Sequence, residues 1–239
     1  VCSASGLLAD QVAEQTFALL MGLARSLPVF FAAQREREFV RRPTRDVHHT
    51  TVGIVGLGGN GRRLVEVLRP WKVRILATDY FPFDCPAGVE SLWPAENLDE
   101  LLAESDIVIL TAPLNDQTRG MIDREKLSRM KPGALLINVA RGPLVVESAL
   151  VEALQSGHLG GAGLDVTEVE PLSTDSKLWD LPNVIITPHV GGQSARRLDD
   201  ATDLICRNLR RWISGEPLFN LVDKRLGFPV RHPSDVDRA

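Results

Sequence analysis

The sequence has little cysteine, few aromatic side chains and no excess of basic charge. Its three cysteines, Cys2, Cys85 and Cys206, are odd in number and widely scattered. They make neither a disulfide framework nor a paired metal-ligand spacing, so no metal is expected and a reducing, cytoplasmic compartment is. The 27 basic and 31 acidic residues leave a net charge of −4, which gives nucleic acid or an anionic membrane no basic footprint. Arg196, Arg197, Arg207, Arg210 and Arg211 are interleaved with Asp199, Asp200 and Asp203, the pattern of a solvated helix face. The most apolar early stretch, FALLMGLARSLPVFFAA, is broken by Arg25 and Pro28 and is too short to span a bilayer. His48 and His49 read as solvated turn residues, not as ligands.

What is present is a regular alternation. Of the 239 residues 44% are apolar and 24% charged, ordinary for a globular protein with a substantial core. Short β-branched runs occur at 51–56, 73–79, 106–113, 134–140, 162–166 and 183–190, with helical periodicity at 61–71 and 145–157. Continuous apolar strands separated by helices predict an α/β fold, a doubly wound parallel sheet covered on both faces. Two long helices are expected outside this alternation, at 9–26 and 193–214, the second closed by Gly215 and Pro217 in the usual stop order. Helix 9–26 is apolar over so wide an arc that a two-fold dimer contact is expected there. The closing FPVRHPSDVDRA, polar and holding two prolines, is expected to fray.

The stretch GLGGNG leaves the first strand and opens a helix, with Gly56, Gly58 and Gly61 at the dinucleotide spacing. Gly56 permits the tight turn, Gly58 lets the backbone approach a pyrophosphate, and Gly61 lets the helix pack on the strand. Gly59 and Asn60 complete this cofactor-facing set. Asp79 closes the second strand, about 20 residues on, where a carboxylate binds ribose hydroxyls. It repels a 2′-phosphate, so NAD is expected over NADP. Arg62 and Arg63 are assigned to an exposed helix face.

Three further ionisable residues fall at the carboxyl ends of strands, where open α/β sheets place their ligands. Arg141 follows the strand in INVARGPLV, Glu170 follows another in DVTEVEP, and His189 stands in TPHVGG. Arginine offers a planar donor fork to a carboxylate and carbonyl and stabilises alkoxide-like charge. Histidine exchanges a proton near neutrality, and a carboxylate on its far nitrogen fixes the tautomer.

GLGGNG, NVARGPLV, LDVTEVEP and TPHVGG, in this order and spacing, resemble the D-isomer-specific 2-hydroxyacid dehydrogenases over about residues 1–222. That family includes phosphoglycerate dehydrogenase, glycerate/hydroxypyruvate reductase and D-lactate dehydrogenase. The resemblance implies an NAD(P)-binding Rossmann domain that moves a hydride between NAD(H) and a small D-2-hydroxy acid, with 3-phosphoglycerate or glycerate/hydroxypyruvate as substrate. It implies that Arg141 binds substrate and that His189 and Glu170 are the acid–base pair. It places Pro113, Thr118, Val139, Ala140, Arg141, Asp165, His189 and Gly191 near the nicotinamide half of the cofactor. It departs at Asn60, where the family usually carries isoleucine or valine.

In the family a flavodoxin-like substrate domain of roughly a hundred residues precedes the long helix. Here only residues 1–8 stand in its place, which implies that most of that domain is missing and that this chain alone binds NAD with little turnover. The expected division is 1–8 as substrate-domain remnant, 9–191 as nucleotide domain and 192–239 as crossover helix and tail. The resemblance also extends to NAD(H)-sensing transcriptional corepressors, the alternative function. A formate- or phosphite-oxidising relative fits less well, because formate needs no proton relay to a carbonyl.

Overall fold

The computed structural model describes residues 1–229. Seven strands form one parallel sheet: β1 (Thr51–Val55), β2 (Arg74–Asp79), β3 (Ser91–Pro94), β4 (Ile107–Leu110), β5 (Leu135–Asn138), β6 (Gly161–Leu164) and β7 (Val184–Ile186). Their order is β3-β2-β1-β4-β5-β6-β7. The chain therefore winds outward from β1 in one direction, returns to β4 and winds outward in the other. The reversal between β1 and β4 makes the topological switch point, and the carboxyl edge there is where such sheets bind ligands. The doubly wound expectation is met.

Alternate side chains of each strand enter different cores. In β4, Ile107 and Ile109 join one cluster while Val108 and Leu110 join the other. The first cluster is covered by Leu19, Leu20 and Leu23 of α1 (Ala9–Ala24) and by Leu64 and Leu68 of α3 (Gly59–Leu68). The second is covered by Leu101 of α4 (Leu98–Glu104), Leu127 of α5 (Arg124–Arg129) and Leu150 of α6 (Glu147–Gln155). Burial on both faces is why the strands read as unbroken apolar runs. Asp123 starts α5 by accepting the Lys126 N–H at 2.9 Å, a side-chain cap for an otherwise orphaned donor.

Several expectations need correction. The wide apolar arc of α1 is used inside its own chain, with Ala13, Thr16, Leu19, Leu20, Leu23 and Ala24 all buried, so it carries no argument for a two-fold contact. Beyond a left-handed Ser26 the chain continues as α2 (Leu27–Arg35), which buries no side chain. No single helix among the described residues is long and apolar enough to cross a membrane. Strand β7 stops at Ile186, short of the expected 190, and the chain leaves the extended conformation at His189, whose φ is +54°. Helix α7 (Arg197–Ile213) begins later than expected and buries none of its side chains, leaving Leu198, Ile205, Leu209, Trp212 and Ile213 exposed. The tail expected to fray is ordered as far as it is described: Phe228–Pro229 form β9 and pair antiparallel with β8 (Val222–Asp223). The rest of that stretch lies outside the described residues.

Candidate active site

The glycine turn shows why these residues are glycine. Gly56 has φ +93°, and a Cβ there would meet Ala112 backbone at 2.7 Å. A Cβ on Gly61 would strike the Gly56 carbonyl, so β1 and α3 cross only without a side chain at this point. Thr111 donates its hydroxyl to that same carbonyl. A Cβ on Gly58 would meet nothing within 4 Å, so open space lies over the helix entrance. There the first-turn N–H groups of a ten-residue helix have no partner within the helix.

Asp79 is set against this turn. One carboxylate oxygen accepts the Leu57 N–H at 2.6 Å and the other the Phe81 N–H at 2.8 Å. A carboxylate has about four acceptor sites, so both oxygens keep capacity for ribose hydroxyls. The open cradle, the helix entrance and this half-used carboxylate fit a dinucleotide. Arg62 departs from its expected exposed position. It bonds Asp84 at 2.7 Å with both side chains only about one-fifth exposed (21% and 22%), and donates to the Leu57 carbonyl at 3.1 Å. Arg63 is solvated as expected, paired with Asp10 and Glu66.

Further along the same edge, the loops after β5, β6 and β7 carry Arg141, Glu170 and His189. The His189 Nδ1 and a Glu170 oxygen are 2.8 Å apart, and the other Glu170 oxygen accepts the Thr167 N–H at 3.2 Å. His189 has φ +54°, a left-handed conformation uncommon for a non-glycine residue. Arg141 is exposed and donates Nη1 to the Ala140 carbonyl at 2.6 Å. The next residue fixes its loop: a Cβ on Gly142 would collide with the Thr167 carbonyl. The arginine loop therefore lies directly on the loop that carries Glu170. Val139 and Ala140 are buried beneath it. Pro113 and Thr118 are tied in the β4 exit loop, where the Thr118 hydroxyl donates to the Pro113 carbonyl at 2.7 Å.

Asp165 is 2% exposed and holds the histidine loop from inside. One of its oxygens accepts from the Thr187 hydroxyl at 2.6 Å and the Val190 N–H at 3.0 Å, the other from the Gly191 N–H at 2.8 Å. Its carbonyl accepts the His189 N–H at 2.8 Å. From α1, Gln15 donates to the Thr187 hydroxyl at 2.8 Å. Sequence reasoning grouped Asp165 with the cofactor residues and missed Gln15 and Thr187. No local pattern could mark Gln15, whose partner is 172 residues away.

The comparisons bear on the family and the fold. A profile described as the D-isomer specific 2-hydroxyacid dehydrogenase, NAD binding domain, matches residues 17–191. The D-3-phosphoglycerate dehydrogenase of Mycobacterium tuberculosis is 37% identical over 211 residues, covering 85% of this chain and 39% of that protein. The glyoxylate/hydroxypyruvate reductase B of Pectobacterium carotovorum is 40% identical over 192 residues, covering 76% of this chain and 57% of that protein. The chain thus spans well under two thirds of either relative. A crystal structure of a D-isomer specific 2-hydroxyacid dehydrogenase from Xanthobacter autotrophicus Py2, in complex with NADPH and MES, superposes with TM-score 0.87 at 37% identity, over 95% of this chain and 93% of that one. Nothing in these likenesses favours the corepressor alternative. The fold is the NAD(P)-binding Rossmann domain, and the chain belongs to the D-isomer-specific 2-hydroxyacid dehydrogenases.

Proposed function

We propose that this chain is the nucleotide-binding and proton-transfer part of an NAD-dependent dehydrogenase acting on 3-phosphoglycerate or on glycerate/hydroxypyruvate. The observation that carries the reading is the His189–Glu170 pair at 2.8 Å, on the same sheet edge as Arg141 and the dinucleotide cradle. Within it, residues 9–191 are the nucleotide domain, residues 1–8 a remnant of the substrate domain, and the stretch from 192 the crossover helix and tail.

Bound NAD(H) would supply or accept the hydride at the substrate's C2. Arg141 spends one donor on the Ala140 carbonyl and keeps the rest of its fork for the substrate carboxylate and carbonyl. With Nδ1 engaged by Glu170, His189 has Nε2 left to give a proton to the carbonyl oxygen in reduction, or to take it from the hydroxyl in oxidation. Glu170 holds the ring's tautomer and orientation through that bond. The Asp79 carboxylate favours NAD by binding ribose hydroxyls and repelling a 2′-phosphate, although the Xanthobacter structure is a complex with NADPH. The named activities of the relatives supply the substrate class.

The test is NADH oxidation by the intact protein on hydroxypyruvate, glyoxylate and 3-phosphohydroxypyruvate, with His189→Asn and Arg141→Lys beside wild type. The expected result is turnover on at least one acid, lost in His189→Asn and weakened mainly in KM by Arg141→Lys. Absence of turnover on all three overturns the proposal.

A further inference from the structure

Helix α1 and the turn before it meet the candidate site in two places. At the entry, Gly6 (φ +77°) lies so close to the glycine turn that a Cβ on Gly59 would meet the Gly6 Cα at 2.7 Å. In the first turn of α1, Asp10 bonds Arg63 of α3 at 2.6 Å. In the second turn, Gln15 donates Nε2 to the Thr187 hydroxyl at 2.8 Å and lies 3.5 Å from one Asp165 oxygen. The helix is thus seated on α3 and reaches from there to the histidine loop.

The direction of these bonds follows from the groups available. A carboxylate only accepts, so the part of the Gln15 amide turned towards Asp165 is the NH2. An NH2 only donates, so the Thr187 oxygen accepts from Gln15. The single hydroxyl hydrogen of Thr187 is then left for Asp165, at 2.6 Å. Gln15 therefore fixes which way the Thr187 hydroxyl points.

Asp165 takes that bond as part of a clamp. Thr187 on one side of His189, and Val190 and Gly191 on the other, all donate to its carboxylate. Its carbonyl takes the His189 N–H itself. The carboxylate is 2% exposed and these donors are neutral, so the buried charge depends on each of them. His189 sits at φ +54°, a conformation that persists where the surroundings over-determine it.

We propose that Gln15 is a positioning residue for proton transfer: by orienting the Thr187 hydroxyl it completes the clamp on Asp165 and seats the His189 backbone. The proposal rests on the reading of His189 as the proton donor and gives that histidine a support from a helix outside every motif. A misplacement of about 1 Å in a reacting group costs on the order of a hundredfold in rate, so the seat matters to the chemistry as well as to the fold.

The test is backbone amide hydrogen exchange of the intact protein by NMR, for wild type, Gln15→Met, Gln15→Glu and Thr187→Ser. NADH titration and turnover on hydroxypyruvate, glyoxylate and 3-phosphohydroxypyruvate are measured on the same samples. Gln15→Met keeps the length of the side chain and loses the donor. Gln15→Glu keeps its shape and sets an acceptor beside Asp165. In Gln15→Met the His189, Val190 and Gly191 amides should exchange about three- to tenfold faster, the worth of one hydrogen bond. Gln15→Glu should exceed this, while Ile109 in β4 and the Kd for NADH stay unchanged. The kcat should fall at least as far in both variants, and Thr187→Ser, which keeps the hydroxyl, should behave as wild type. Wild-type exchange of the three amides in Gln15→Met overturns the clamp, as does acceleration that includes Ile109 equally. Faster exchange with unchanged kcat overturns the positioning role. Absence of wild-type turnover overturns the dehydrogenase reading, and the exchange rates then decide the clamp by themselves.

Discussion

Replacing Asp79 by asparagine removes one charge and almost no volume, so it isolates the electrostatic part of cofactor choice. In the structure the two oxygens of Asp79 receive the N–H groups of Leu57 and Phe81 at 2.6 and 2.8 Å. Asparagine can satisfy only one of them, which costs about 1–2 kcal/mol locally. For NAD(H), the hydrogen bonds from ribose hydroxyls change from charge-assisted to neutral, a loss of about 1 kcal/mol or roughly fivefold in Kd. For NADP(H) the sign reverses. Two unit charges about 4 Å apart near a protein surface repel by about 4 kcal/mol. After discounting for salt and for the partial exposure of Asp79, about 2–3 kcal/mol remains, roughly a hundredfold. Arg62 offers no compensating cation while it is bonded to Asp84 at 2.7 Å. Fluorescence titration with NADH and NADPH should therefore show wild type preferring NADH strongly and Asp79→Asn binding the two within about tenfold. Wild-type binding of NADPH as tight as NADH would refute the reasoning, and the Xanthobacter complex with NADPH makes that a demanding test.

Thr187→Val removes the hydroxyl that joins Gln15 to Asp165. It should cut kcat about tenfold or more with NADH affinity unchanged, and Thr187→Ser should recover most of the loss in a steady-state assay. Gly142→Ala drives a methyl into the Thr167 carbonyl, so urea unfolding should show a loss of about 3 kcal/mol or more. For Asp106, burial opposes ionisation, but the Thr51 N–H and the Lys131 ammonium outweigh it and hold the carboxyl below its ordinary value. That group's contribution is therefore present above its unfolded pKa and is lost as pH falls through the folded one, below about pH 4. Asp106→Asn should flatten the acid limb of the melting curve there, and an unchanged limb would exclude the pair.

The parts of this molecule that were legible in the sequence are those with a local physical signature. Strands β1, β4 and β5 show as β-branched runs because both faces are buried, and Gly56 and Gly61 show because a side chain would collide with Ala112 and with the Gly56 carbonyl. Arg141, Glu170 and His189 stood out as a set because all three fall at the carboxyl ends of strands, where open α/β sheets place their ligands. The parts that stayed hidden depend on contacts remote in sequence. Edge strand β3 is four residues long and only partly buried, so neither periodicity nor a continuous apolar run marks it. Arg62 looked solvated because Asp84 comes to it only after the chain has passed through β2. The arc of α1 looked like an interface because sequence cannot say whether a helix covers its own sheet or a second copy.

Helix α7 has a consequence for the order in which the molecule comes apart. A helix with no fully buried side chain gains little free energy from tertiary packing. Its polar attachments run to the segment that follows it: Arg207 and Arg211 over the Phe219 ring at 4.7 and 4.4 Å, two hydrogen bonds between Asn208 and the Phe219 backbone, and Arg211 bonded to the Pro217 carbonyl and to Glu216. Its amides accordingly belong to the lowest opening unit of the native state and exchange with solvent well before those of β1, β4 and β5. The hairpin that follows α7 in the chain is held separately, by hydrogen bonds between Asn220, Val222 and residues 1–5. Opening α7 therefore leaves both the sheet and the anchors of the hairpin on residues 1–5 in place.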